Sequence, residues 1–133
     1  MARPGLSDAL RYLAIALILV EGGIHLQQYA GVLNEVPTIS TLFLLNAFSA
    51  AGIALVLSVS NGPISIATAL GGIGLTLGAL ASLAITRVDT LFDYSEPMLR
   101  TAVTLATVVE LATVVVLAAY IVVSLRPASP RGA

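Results

Sequence analysis

Residues 12–29 read YLAIALILVEGGIHLQQY. Nine consecutive apolar residues, 12–20, run directly into Glu21, and His25, Gln27 and Gln28 follow within two turns. The run has the composition of a membrane span. The glutamate and the histidine do not. A carboxylate near the centre of a membrane helix costs about 2.5–3.5 kcal/mol, and each Leu, Ile or Val returns about 0.3–0.6 kcal/mol. The apolar residues from Leu10 to Val20 just offset Glu21, and His25 and Gln28 then leave the segment marginal by itself. Such a helix needs neighbours, and its polar side must face them and not lipid. Glu21, His25 and Gln28 stand at i, i+4 and i+7, a single helix face.

The rest of the chain supplies the neighbours. Of its 133 residues 58% are hydrophobic and 10% charged, with a mean hydropathy of +1.01. Soluble domains are about 25% charged and about 45–50% apolar, and a soluble chain this short has too little interior for so much apolar surface. A bilayer crossing takes roughly 20 mostly apolar residues. Segments at about 10–29, 39–59, 63–86 and 97–125 meet that requirement. SVSNGP (58–63) is a turn followed by a proline at a helix start, Ser95 is a candidate cap for the fourth span, and Arg126-Pro127 is a stop. Short loops make consecutive helices antiparallel neighbours. The expected fold is all-α: one integral membrane four-helix up-down bundle over residues 1–126, with RPASPRGA (126–133) ending in a disordered cytoplasmic tail from 127.

All six basic residues are arginines. Arg3, Arg11, Arg126 and Arg131 flank the two chain ends, and Arg87 and Arg100 flank the third loop. The positive-inside rule then puts both termini in the cytoplasm and the protein in the plasma membrane. Tyr29, Phe92 and Tyr94 fall at the outer interface, Tyr12 and Tyr120 at the inner one. A rival reading takes the first segment as a cleaved signal peptide. Glu21 so soon after the apolar run, and the lack of a small-x-small site, count against it. The net charge of −1 excludes the basic footprint of a nucleic-acid partner, and the absence of cysteine excludes disulfides and thiol chemistry.

Two further polar residues interrupt apolar spans, Asn46 in FLLNAFSAAG and Glu110 in TLATVVELATVVV, with Thr107 and Thr113 on roughly the face of Glu110. At 1.5 Å rise per residue, Glu21 and Asn46 lie roughly 12 Å below the outer helix ends, Glu110 roughly 20 Å and His25 roughly 6 Å. The expectation is an outward-opening polar cavity with His25 near the mouth, Glu21 and Asn46 further in and Glu110 at the base. Gln28 and Arg87 would stand at the mouth. Intramembrane acids are functional by default, as a proton or ligand site. The alternative is that a protonated carboxyl serves as interhelical hydrogen-bonding glue. Glu21, His25 and Glu110 are also a candidate set for a divalent metal such as zinc or iron. The di-iron signature Glu-x-x-His is missing, since the spacing here is Glu-x-x-x-His. One histidine excludes bis-histidine haem and leaves His25 with Met98 as the axial pair to consider. Gly74, Gly78 and Ser82, with Gly71 and Gly72, make a small-xxx-small ridge that predicts helix packing, and Gly22 and Gly23 permit close approach to the first span. RVDTLFDYSEPMLR (87–100) is a solvated acidic loop, a lid over the cavity or a docking surface.

EGGIHLQQY, TLFLLNAFSAAGIALVL, LFDYSEP and VVELATVVVL together resemble small four-span membrane proteins of actinobacterial type, loosely DoxX-like. That resemblance implies a plasma-membrane four-helix bundle and, through the DoxX-like proteins, a link to quinone-dependent oxidation and to membrane complexes. The functional expectation is an accessory subunit or ligand-binding module without turnover, in contact with the lipid bilayer and with a homo-oligomer or larger membrane complex as its setting. The alternatives are a quinone- or haem-linked redox protein and a proton-coupled transporter of small solutes.

Overall fold

The structure, a computed structural model, describes residues 5–96 and 98–126. The expected tail at 127–133 lies outside the described residues, as do Arg3, Arg131 and the two prolines at 97 and 127. Four helices follow one another: α1 (Leu6–Ala30), α2 (Ile39–Val59), α3 (Gly62–Val88) and α4 (Thr101–Ser124). All four are long and apolar enough to cross a membrane, and the chain is a multi-pass membrane protein with the four-helix bundle fold. The helices form a ring in which α1 packs on α2 and α4, and α3 on α4 and α2. The α2–α3 seam is the thinnest of the four.

The outside of the bundle is apolar. Leu13, Leu45, Phe48, Leu77, Leu105 and Val115 are all exposed, the inverse of a soluble protein. The inside divides into two halves. Towards the termini the core is dry and tight: Ala14 and Ile18 of α1 meet Ala50, Ala54 and Leu57 of α2, Ala69 of α3 and Leu117 and Tyr120 of α4. Alanine at four of these eight positions lets the backbones come close. Tyr120 belongs to this core; it is 5% exposed and its hydroxyl pairs with Ser65 Oγ at 2.5 Å. At the same end Arg11 donates to the Ser60 carbonyl at 3.1 Å and to Asn61 Oδ1 at 2.9 Å, placing a cation at the C-terminus of α2.

Two sequence expectations are corrected here. The fourth helix begins at Thr101, and Ser95 does not cap it; Arg100 is the N-cap residue. The reason is tertiary. The Glu96 amide donates to the Thr86 carbonyl at 2.9 Å, which ties the loop to the end of α3. The expected glycine ridge is also not a helix contact. A Cβ at Gly71, Gly74 or Gly78 would meet nothing within 4 Å. The packing glycine of α3 is Gly72, where a Cβ would stand 2.9 Å from Leu117 Cδ1 and 3.2 Å from Ile18 Cδ1. Of the α1 pair, Gly22 alone makes the close approach: its Cβ would lie 2.8 Å from Ala50 Cβ, whereas Gly23 has open space.

Gly22→Ala should therefore destabilise the bundle by about 1–3 kcal/mol through overpacking. Gly23→Ala should be neutral or slightly stabilising, since alanine is the better helix former. Reversible unfolding in mixed micelles compares the two.

Candidate functional site

The half of the bundle towards the α1–α2 and α3–α4 loops is polar inside. Its organising residue is Glu21, 0% exposed. Thr76 Oγ1 of α3 donates to Glu21 Oε2 at 2.9 Å, across the diagonal of the bundle. Asn46 of α2 lies against the same carboxyl. Glu21 Oε1 and Asn46 Oδ1 have no hydrogen-bond partner among the described residues.

One turn on, His25 Nδ1 stands 3.0 Å from the Glu21 carbonyl. A carbonyl only accepts, so Nδ1 carries a proton. That fixes the other nitrogen as the variable one. Nε2 faces Glu110 Oε1 of α4 at 3.7 Å, and the ring is wedged against Phe43, centroid to centroid 4.8 Å. Both partners are buried, His25 at 7% and Glu110 at 2% exposure. A single proton satisfies the pair. It resides either on Nε2, giving an imidazolium–carboxylate contact, or on Glu110, giving a neutral acid beside a neutral imidazole. Thr107 and Thr113 do not assist, because each spends its hydroxyl on its own helix, on the carbonyls of Val103 and Val109.

His25 and Glu110 meet although a Cα-based depth count separates them. Side chains lean towards the N-terminus of their own helix. The two helices are antiparallel, so His25 leans deeper while Glu110 leans back towards the loops. The later start of α4 removes the rest of the difference.

His25, Gln28, Asn46 and Glu110 line one cavity of about 410 Å³. This lies within the range of about 300–1,000 Å³ typical of small-molecule sites. Most of its wall is apolar, for example Phe43, Leu75, Leu83 and Val103. It is not a simple outward funnel. Exposed Leu42, Leu45 and Ser49 of α2 and exposed Gly74 and Gly78 of α3 form its edges, so it opens sideways through the α2–α3 seam, on the face that meets lipid. The glycines without packing partners thus widen an opening. Glu21 does not line this cavity; it lies behind the wall, bonded to Thr76.

The loop end is closed by a lid. Leu91, Tyr94 and Glu96 line the cavity. Leu91 and Tyr94 exchange both backbone hydrogen bonds, 2.8 and 3.0 Å, around Phe92 and Asp93. Those two residues have φ of 51° and 61°, the pattern of a type I′ turn. Arg100 anchors the lid. It donates through Nε to Glu96 Oε1 at 3.1 Å, through Nη2 to Glu96 Oε2 at 2.7 Å and through Nη1 to Gln28 Oε1 at 2.7 Å. The Tyr94 hydroxyl donates to Glu96 Oε2 at 2.7 Å. The expected mouth residue Arg87 is not at the cavity. It donates to the Glu96 carbonyl at 3.2 Å over a separate surface hollow. Arg100, Glu96, Tyr94 and Thr76 are not among the site residues expected from sequence, where Tyr94 counts as an interfacial aromatic and Arg100 as a topology marker. The Glu96–Arg100 spacing of i, i+4 was the available signal for the first two.

The cofactor expectations fare differently from the cavity. Among the described residues no three His, Asp or Glu side chains come together as a metal set, so Glu21, His25 and Glu110 do not form one. Glu21 is held away by Thr76. Met98 is 66% exposed and does not line the cavity, so it does not pair with His25 as an axial ligand. No family model matches the chain, and no curated protein or solved structure matches it.

The lid titrates at both ends of the pH scale. The Arg100 guanidinium holds the Glu96 carboxyl below its usual range, and burial, followed by the bond to Glu96, pushes the Tyr94 phenol up to about 12. The Glu96 contribution is present above the ordinary carboxylate range and is lost as pH falls through its lowered value. The Tyr94 contribution is intact below pH 10.0 and is lost as pH rises through about 12. In the alkaline absorbance difference between wild type and Tyr94→Phe, one phenol should ionise with a midpoint near 12; a midpoint near 10.0 would show that the phenol is neither buried nor bonded to Glu96.

Proposed function

We propose that this chain is a binding module or accessory subunit of the plasma membrane, with both termini cytoplasmic. It takes an amphipathic small molecule sideways from the outer half of the bilayer and holds it without turnover. The observation that carries this reading is the cavity of about 410 Å³ whose apolar walls open at the α2–α3 seam and whose far end is the buried His25–Glu110 pair. A molecule with an apolar body enters such a site without leaving the hydrocarbon, and its head finds the polar groups there. The arginine distribution supports the orientation, because Arg11 and Arg126 stand at the termini end.

The sealed half of the bundle speaks for binding over transport. Ala14, Ile18, Leu57, Ala69 and Leu117 fill it with side chains no more than 3% exposed, apart from the Ser65–Tyr120 bond. Among the described residues Ser65 and Tyr120 are the buried polar side chains nearest the termini, and they bond to each other. A redox role with a quinone in the cavity remains the alternative that the DoxX-like resemblance implies.

Gly78→Leu tests the reading. The position has open space, so the variant should fold with unchanged stability while its side chain fills the opening. Native mass spectrometry should find a small amphiphile bound to wild type and absent from the variant. Wild type free of any such adduct after mild extraction, and identical to the variant, would contradict the reading.

A further inference from the structure

The polar end of the cavity is unbalanced in a way that specifies the head group of its ligand. Hydrogen-bond acceptors dominate it. Asn46 is 8% exposed and lines the cavity, and its Oδ1 is buried in the wall without a partner among the described residues. Among the described residues the Glu110 carboxyl accepts no hydrogen bond, and His25 Nε2 lies 3.7 Å from it. His25 Nδ1 is committed to the Glu21 carbonyl, so the neutral ring presents Nε2 as a further acceptor. Behind the wall Glu21 Oε1 is unpartnered as well.

Charge points the same way. The titratable groups at this end are Glu21 and His25 on α1 and Glu110 on α4. Asn46 of α2 and Thr76 of α3 face them and do not titrate. At the mouth stand Tyr94, Glu96 and Arg100, and Arg100 is matched by the bidentate Glu96. It also lies ten residues from Glu110 along the chain, about 15 Å on the helix axis. Among the described residues the deep end thus has two carboxyls, Glu110 at the cavity and Glu21 behind its wall, and no cation except a protonated His25. A carboxylate or phosphate head would meet acceptors and like charge. A hydroxyl would satisfy one acceptor and leave the charge unchanged. A head with several N–H donors and a positive charge answers both deficits.

We propose that the cavity binds an organic ammonium, an R–NH3⁺ head on an apolar body, and that the head displaces the proton shared by His25 and Glu110. This rests on the binding reading above and adds the chemical class of the ligand. The balance is simple: the ammonium enters, one proton leaves for solvent, and the net charge of the site is unchanged. No covalent bond is formed or broken. Donors to Glu110 and to His25 Nε2 replace the single proton that those two groups share without ligand.

The test compares three molecules with one tail, octylamine as its ammonium, octanol and octanoate, on the protein in lipid nanodiscs with empty nanodiscs as blank. Calorimetry in two buffers of different ionisation enthalpy counts the protons exchanged. The ammonium should bind saturably with release of one proton, octanoate should not bind, and octanol should bind more weakly. Glu110→Gln should weaken the ammonium by roughly tenfold or more. The proton count is read on wild type, so a variant that does not assemble leaves the test standing. Octanol binding as tightly as the ammonium, or ammonium binding without proton release, would overturn the proposal and leave the cavity reading intact. Binding of none of the three would overturn both.

Discussion

The bond from Thr76 Oγ1 to Glu21 Oε2, 2.9 Å long and wholly buried, fixes the rotation of α1, and most of the polar interior follows from that rotation. The helices it joins are diagonal in the ring and otherwise meet through Ile18 at Ala69 and Gly72 in the core. With Glu21 turned to α3, the ring of His25 is carried towards α4 and the side chain of Gln28 towards Arg100. Gly22 is then left against Ala50 as the point of closest approach to α2. A carboxyl that cannot face lipid thus dictates which side of the first helix is inside.

The same constraint divides the bundle into unlike halves. Where α1 is apolar, small residues bring the helices together and the interior is filled. Where α1 is polar, Phe43, Asn46 and the glycines of α3 leave space, and the α2–α3 seam opens. Buried polar groups are costly unless bonded. Here the bonds are unevenly distributed: Glu96 and Arg100 at the lid are saturated, whereas Glu110 and Asn46 at the deep end are not. The cavity thus has lid residues at its loop end, an unsatisfied far end and an opening at the α2–α3 seam.

The helices and the polar stripe were legible in the sequence because each rests on periodicity and composition. The bounds of α2 follow directly from the apolar run at 39–59 and the Asn-Gly turn after it. The grouping of His25, Asn46 and Glu110 follows from helices that must turn charge inward. What the sequence hid depends on tertiary direction. Glu21 belongs to the wall and not to the cavity because Thr76, one hydroxyl among the glycines of α3, claims it. The glycine ridge has the spacing of a packing motif, and only the neighbouring helix decides whether it packs or gapes. Arg100 displaced Arg87 at the mouth because the loop folds back onto the end of α3 and starts α4 at Thr101.

His25 is the only histidine in the chain, so its nitrogen resonances need no assignment. The ¹⁵N spectrum of the ring, in wild type and in Glu110→Gln, is the most direct test of the buried network. The account predicts a ring protonated at Nδ1 in wild type, held by the Glu21 carbonyl, with an Nε2 resonance that moves when Glu110 is replaced. Replacing the exposed loop residue Glu35 with glutamine should leave it in place. A ring protonated at Nε2 alone, with a spectrum indifferent to Glu110, would contradict the account.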